Sequence, residues 1–229
     1  MNELLLIISI PIIFGGACLS YRFLGKSGVY AFIAVSTVLA NIEVLLLVKA
    51  FGITQTLGNV LFAAIYLCTD ILSENEGKES AKKGVLIGLL SSAFMVIITS
   101  SWLFYKPENS DVFLAFKALF SATPRIIAAS FIAYAASQAL DVFLYHRFWN
   151  ATTKKSGSAR KFLWLRNNAA TLISQIINAV IFNLVAFCGV YDTKTLIAII
   201  FSSYLIYIFT SLLDTPFLYL ARHIKDSKK

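Results

Sequence analysis

The chain has 229 residues, 58% of them apolar and only 14% charged, with a formal net charge of +8. An ordinary soluble domain carries about a quarter charged residues, so a soluble globular domain is excluded and the composition belongs in a bilayer. Roughly 20 apolar residues at 1.5 Å each cross the hydrocarbon layer, and seven such spans are predicted, over Glu3–Tyr21, Gly28–Ala50, Thr56–Ser73, Gly84–Tyr105, Pro124–His146, Arg166–Gly189 and Thr195–Ala221. The expected fold class is an all-α polytopic transmembrane helical bundle of about seven spans, with six plus one extra helix as the variant. Span one lacks a basic leader, carries Glu3 where a signal peptide would be positive, and is read as a retained helix. Glu74–Lys83 forms a charged turn around Gly77, whose freedom at left-handed angles suits a helix end. Val112–Phe120 is too short to cross and reads as interfacial. Pro107 and Pro124 bracket the loop Tyr105–Thr123, and Pro124 opens span five, where a missing N–H costs nothing. Asn150–Lys161 reads as a flexible cytoplasmic linker inside one integral membrane domain, residues 1–229.

The charges are unevenly placed. Fifteen of the 20 lysines and arginines fall on one set of alternate loops: Arg22 and Lys26, then Lys78, Lys82 and Lys83, then the run from Arg147 to Arg166, then Arg222, Lys225, Lys228 and Lys229. The other side holds Lys49, Lys106, Lys117 and Lys194, and Arg125 lies at a membrane edge. Basic loops stay cytoplasmic, which places the N-terminus outside and the C-terminus inside. The basic surplus is thus topology and attraction to membrane lipid, not a nucleic-acid site. Cys18, Cys68 and Cys188 have no metal-ligand spacing and read as free buried thiols.

Polar groups that cannot reach water are costly in hydrocarbon, so those within spans turn inward. On span six, residues 167, 171, 174, 175, 178 and 182 lie on one stripe, by the three-and-four spacing of a helix face. Span five repeats this with Tyr134, Gln138, Asp141 and Tyr145, and span three with Tyr66, Asp70, Ser73 and Glu74. Ser137-Gln138-x-x-Asp141 and Ser174-Gln175-x-x-Asn178 form a repeated motif. Each glutamine sits nine residues from the basic end of its span, roughly 13 Å deep. The two copies run antiparallel, as in an inverted repeat with a midplane site, or resemble each other by chance. Hydroxyls and amides also serve as helix-to-helix ties of about 0.6 kcal/mol each. A midspan carboxylate, at roughly 2.5–3.5 kcal/mol, is not needed for that, so Asp70, Asp141 and Asp214 point to function. Glu43 can face the interior or pair with a neighbour, and Arg125 can be an edge anchor or the counter-charge of a buried acid.

No HExxH, GxSxG or glycine-rich phosphate loop occurs, and His146 and His223 sit at span ends. Catalysis is not supported, and no cofactor or metal is called for. Carboxylates that accept paired N–H donors, amides that give and take bonds, and the aromatic faces of Tyr66, Tyr134 and Phe182 suit an uncharged heteroaromatic ligand.

Tyr66-x-x-Thr69-Asp70-x-x-x-Glu74-x-x-Gly77-Lys78 is followed by Arg125, Ala129, Tyr134, Ser137-Gln138 and Asp141-Val142-Phe143. Then come Trp164-x-Arg166-Asn167-Asn168-x-x-Thr171-x-x-Ser174-Gln175 and Asp214-Thr215-Pro216. Together these resemble the queuosine precursor transporter family, also called the vitamin uptake transporter family, over about residues 41–219. The resemblance implies a bacterial inner-membrane importer of 7-deazaguanines for tRNA modification: 7-cyano-7-deazaguanine, 7-aminomethyl-7-deazaguanine or queuine. Such proteins also resemble the substrate-binding subunits of energy-coupling-factor vitamin transporters. The departures are Asn178, where the family usually has an acid, and Ala63-Ala64, where a proline is expected. On this reading Asp70, Glu74 and Asp141 face the amino-pyrimidinone edge. Gln138, Gln175, Asn168 and Asn178 bind ring atoms, Arg166 guards the cytoplasmic mouth, and Asn41, Tyr66, Tyr134 and Thr171 complete the binding set. Arg125, Asn167 and Asp214 support it. The oligomeric state is left open, a homo-oligomer included.

Overall fold

A computed structural model describes residues 1–44, 46–108, 110–120 and 124–227. Lys228, Lys229 and the loop end Thr123, used in the topology above, lie outside the described residues. The elements are α1 (Asn2–Glu43), β1 (Leu47–Ala50), β2 (Ile53–Thr56), α2 (Asn59–Glu76), α3 (Lys78–Trp102), α4 (Ser110–Phe120), α5 (Pro124–Ser156), α6 (Leu163–Phe187) and α7 (Thr193–Asp226).

α1 is two arms joined at Gly25, whose φ of 60° and ψ of −146° are non-helical and suit glycine best. The arms fold back on each other. A methyl added at Gly16 would stand 3.2 Å from the Phe32 ring, although sixteen residues of straight helix would separate the two by about 24 Å. At the turn, a methyl on Gly28 would meet the Ser20 carbonyl oxygen at 2.2 Å, whereas one on Gly15 would meet nothing within 4 Å. Gly28→Ala is therefore expected to destabilise by about 1–3 kcal/mol and Gly15→Ala to be close to neutral, as read by thermal unfolding of the detergent-solubilised protein.

Seven helical segments thus pack side by side: the two arms of α1, then α2, α3, α5, α6 and α7. Among the described residues, α1, α3, α6 and α7 are long and apolar enough to cross a membrane. α2 carries Asp70, Glu74 and Glu76 within 18 residues, and these face inward. Leu86, Leu90, Phe94 and Ile97 recur at helical spacing on the exposed face of α3, as do Leu4, Ile8 and Ile12 on α1. Ser137, Gln138, Asp141, Thr171, Ser174 and Gln175 are fully buried. Polar groups inside and apolar groups outside is the arrangement hydrocarbon solvent imposes, and the chain is a multi-pass membrane protein.

Several features differ from expectation or sharpen it. Span two ends at Glu43 instead of Ala50, because residues 47–56 form an antiparallel hairpin pairing Val48 with Gln55 and Lys49 with Thr54. Its two-residue turn, Phe51-Gly52, has positive φ at both positions, as tight hairpin turns require. Span three becomes α2, shifted to Asn59–Glu76. The expected linker at Asn150–Lys161 is helical as far as Ser156, because α5 continues past the span, leaving a non-helical stretch from Gly157 to Phe162. The short run Val112–Phe120 is helix α4, and Cys188 is exposed, not buried.

α5 and α6 form the most extensive helix pair, and the two Ser-Gln motifs meet along it. Ser174 Oγ lies 2.7 Å from Asp141 Oδ1, and Ser137 Oγ lies 3.5 Å from Asn178 Oδ1. Each serine reaches the polar residue that stands four positions after the serine of the other copy. α3 approaches α5 through Gly88, where a methyl would stand 1.9 Å from the Tyr134 hydroxyl.

Candidate functional site

Three layers of polar residues run through the bundle, from the hairpin end to the end rich in lysine and arginine. The middle layer is built by α2, α5 and α6. Thr171 on α6 donates to Asp70 Oδ2 at 3.3 Å, Thr69 on α2 donates to Gln138 Oε1 at 3.2 Å, and Ser174 joins Asp141. Asp70, Gln138, Asp141, Thr171 and Gln175 are all fully buried. Their bonding is incomplete: Asp70 Oδ1, Asp141 Oδ2, Gln138 Nε2 and both ends of the Gln175 amide have no hydrogen-bond partner. Buried polar atoms are almost always satisfied, and an orphan costs about 1–3 kcal/mol. Among the described residues, no lysine, arginine or histidine bonds the carboxyls of Asp70 or Asp141. This concentration of unused donors and acceptors at one level is what a polar ligand could complete.

The layer toward the hairpin is a cavity of about 310 Å³ between α2, α5, α6 and α7, reaching the loop before α7. Its floor is Tyr207, whose hydroxyl accepts from Asn178 Nδ2 at 3.2 Å and donates to Asn59 Oδ1 at 3.5 Å. Asn178 stands seven residues, about 10 Å of rise, from Thr171. Asn178, one turn beyond Ser174 on α6, lines the cavity, whereas none of Asp70, Gln138, Asp141, Thr171 and Gln175 is among its described lining residues.

The layer toward the basic end is closed by ions. Arg166 is fully buried and grips Glu74, with Nη2 at 2.7 and 2.6 Å from the two carboxylate oxygens and Nε at 3.1 Å from Oε2. Tyr145 donates to Glu74 at 2.8 Å, Arg222 stands at 3.5 Å, and the guanidinium lies 4.4 Å from the centre of the Trp149 ring. Beside it, Glu76 accepts from Tyr21 and from Lys225, and Arg160 pairs with Asp226.

Of the predicted site residues, Asp70, Gln138, Asp141, Thr171 and Gln175 converge in the middle layer, with Tyr66 buried on α2 one turn before Asp70. Asn178 borders both that layer and the cavity. Other residues go elsewhere. Glu74 and Arg166 satisfy each other, so Glu74 is not a free acid for a ligand edge. Asn41 bonds the Thr37 carbonyl and Ser92, tying α1 to α3. Tyr134 packs on Gly88. Asn167 donates to Asp214 at 2.8 Å, and Asn168 donates to Thr215 and accepts from Ser211, which fastens α6 to α7. Arg125 donates to the carbonyls of Val185 and Cys188. It anchors the end of α6 and is no counter-charge for a buried acid. Glu43 lines a groove against the first arm of α1, away from the middle layer.

The cavity residues Asn59 and Tyr207 are absent from the predicted set. The signal was present in each case. Asn59, Tyr66 and Asp70 share a face of α2, and Ser203, Tyr207, Ser211 and Asp214 share one of α7, by spacings of four and seven.

The model of a family described as "Putative vitamin uptake transporter" matches residues 56–221, which include the whole middle layer and the Glu74–Arg166 pair. A Bacillus subtilis (strain 168) protein named "Probable queuosine precursor transporter" is 35% identical over 205 residues, covering 89% of this chain and 87% of that protein. An Escherichia coli (strain K12) protein named "Queuosine precursor transporter" is 31% identical over 149 residues, 65% of this chain and 62% of that protein. No solved structure matches. By the reach of these matches, the chain belongs to the queuosine precursor transporter family, also described as the vitamin uptake transporter family.

Proposed function

We propose that the protein moves 7-deazaguanine precursors of queuosine across the bacterial inner membrane, without catalysis and without a cofactor. The observation that carries this is the middle layer. One carboxylate oxygen each of Asp70 and Asp141, the Gln138 Nε2 and both ends of the Gln175 amide lie buried and without hydrogen-bond partners, on the inner side of a cavity of about 310 Å³. An amino-pyrimidinone edge offers the complementary set, N–H donors for the carboxyls and a carbonyl for an amide. The basic end is cytoplasmic by its charge, so the N-terminus and the hairpin face outward and the Arg166–Glu74 pair closes the inner mouth.

Transport by the chain alone is tested in liposomes containing only the purified protein, with labelled 7-cyano-7-deazaguanine outside. Saturable uptake, competed by unlabelled 7-aminomethyl-7-deazaguanine or queuine, is the expected outcome. Binding without uptake, relieved by adding an ATPase partner module, would make the chain the binding subunit of a larger energised transporter. Neither binding nor uptake would reject the reading.

A further inference from the structure

The cavity on the hairpin side differs in chemistry from the cluster beneath it. Its volume of about 310 Å³ equals that of roughly ten liquid waters at about 30 Å³ each and lies at the lower end of the range for small-molecule sites. Phe62 of α2 and Phe182 of α6 supply flat apolar faces, while Asn59, Asn178 and Asn183 supply amides and Tyr207 a hydroxyl. Among the described residues, no aspartate, glutamate, lysine or arginine lines it. Both functions of Asn178 and the hydroxyl of Tyr207 are engaged only by other cavity or motif groups, at distances that a ring edge with its own donors and acceptors could replace.

Resting on the transport reading above, we propose that this cavity is a first binding station that selects precursors with an uncharged substituent. The planar ring stacks among the aromatic side chains and exchanges hydrogen bonds with the asparagines before reaching the carboxyls. Amides and aromatic faces satisfy a neutral polar ring, but an ammonium taken from water needs a fixed counter-charge, and the cavity holds none. The 7-cyano compound, whose substituent is neutral, therefore enters in preference to the 7-aminomethyl compound, whose amine is protonated at neutral pH. Asn178 is the lever, because it sits on the floor and differs from an acid by a single group.

The test is equilibrium binding of 7-cyano-7-deazaguanine and 7-aminomethyl-7-deazaguanine to the purified full-length protein in lipid nanodiscs. The wild type is expected to bind the cyano compound at least tenfold more tightly. Asn178→Asp should shift the ratio tenfold or more toward the aminomethyl compound, and Phe182→Ala should weaken both. Thermal unfolding of each variant reports whether it is folded, and the wild-type ratio stands without any variant. Equal wild-type affinities, or a ratio unmoved in a folded Asn178→Asp protein, would overturn this inference while leaving transport intact. Binding of neither compound would overturn both.

Discussion

Gln175→Ala is expected to reduce uptake of labelled 7-cyano-7-deazaguanine at least tenfold while leaving the amount and thermal stability of the protein in the membrane near wild type. The two halves of this result come from one observation. Neither end of the Gln175 amide has an internal partner, so its removal breaks no bond in the resting protein and relieves a desolvation cost of about 1–3 kcal/mol. That relief offsets the small void left behind. A ligand that uses the amide loses a hydrogen bond, and about 1.4 kcal/mol is a factor of ten. Asp70→Asn should act in the same direction, since it keeps the volume but changes one acceptor to a donor. Quantitative blotting of membranes alongside the uptake assay separates the alternatives. A variant that transports normally, or one lost from the membrane, would show that Gln175 is a packing residue.

Breaking the ion pair at the basic end should do the opposite, removing stability first. Arg166 and Glu74 are 0% and 4% exposed. Removing one partner of such a pair strands a buried charge and costs about 3–5 kcal/mol. Glu74→Ala is expected to lower the unfolding temperature of the solubilised protein sharply. Arg166→Lys should be intermediate, because an ammonium cannot reproduce the forked contact. Replacing both residues with leucine should recover much of the loss of either single change, as removing both charges leaves none uncompensated. Equal unfolding temperatures for Glu74→Ala and wild type would show that the pair carries no structural weight.

Much of this site is legible in the sequence. Hydrocarbon solvent makes a buried polar stripe conspicuous, and spacing along α6 placed Thr171, Ser174, Gln175 and Asn178 on one face. The depth of the two Ser-Gln motifs anticipated that they would meet. Spacing does not give the rotation of one helix against another, and the remaining errors follow from that. Glu74 shares a stripe with Asp70, yet it lies one turn nearer the basic end, where Arg166 reaches it. Asn41 and Asn168 lie on polar faces that turn toward α3 and α7. The β-hairpin was hidden because residues 44–50 are apolar enough to continue a helix, and the break lies in Phe51-Gly52 and the β-branched residues that follow. Tyr207 was lost in a run of aromatic and aliphatic residues whose polar atoms look ordinary until α2 and α6 are placed beside them.

The most direct measurement of the central claim is the queuosine content of tRNA in a bacterial strain that cannot synthesise the precursor and lacks its own transporter. With this chain expressed and 7-cyano-7-deazaguanine supplied at low concentration, queuosine should return to the tRNA, and the Gln175→Ala protein should fail to restore it. Absence of queuosine with every one of the three precursors, in cells whose membranes contain the folded protein, would contradict the account.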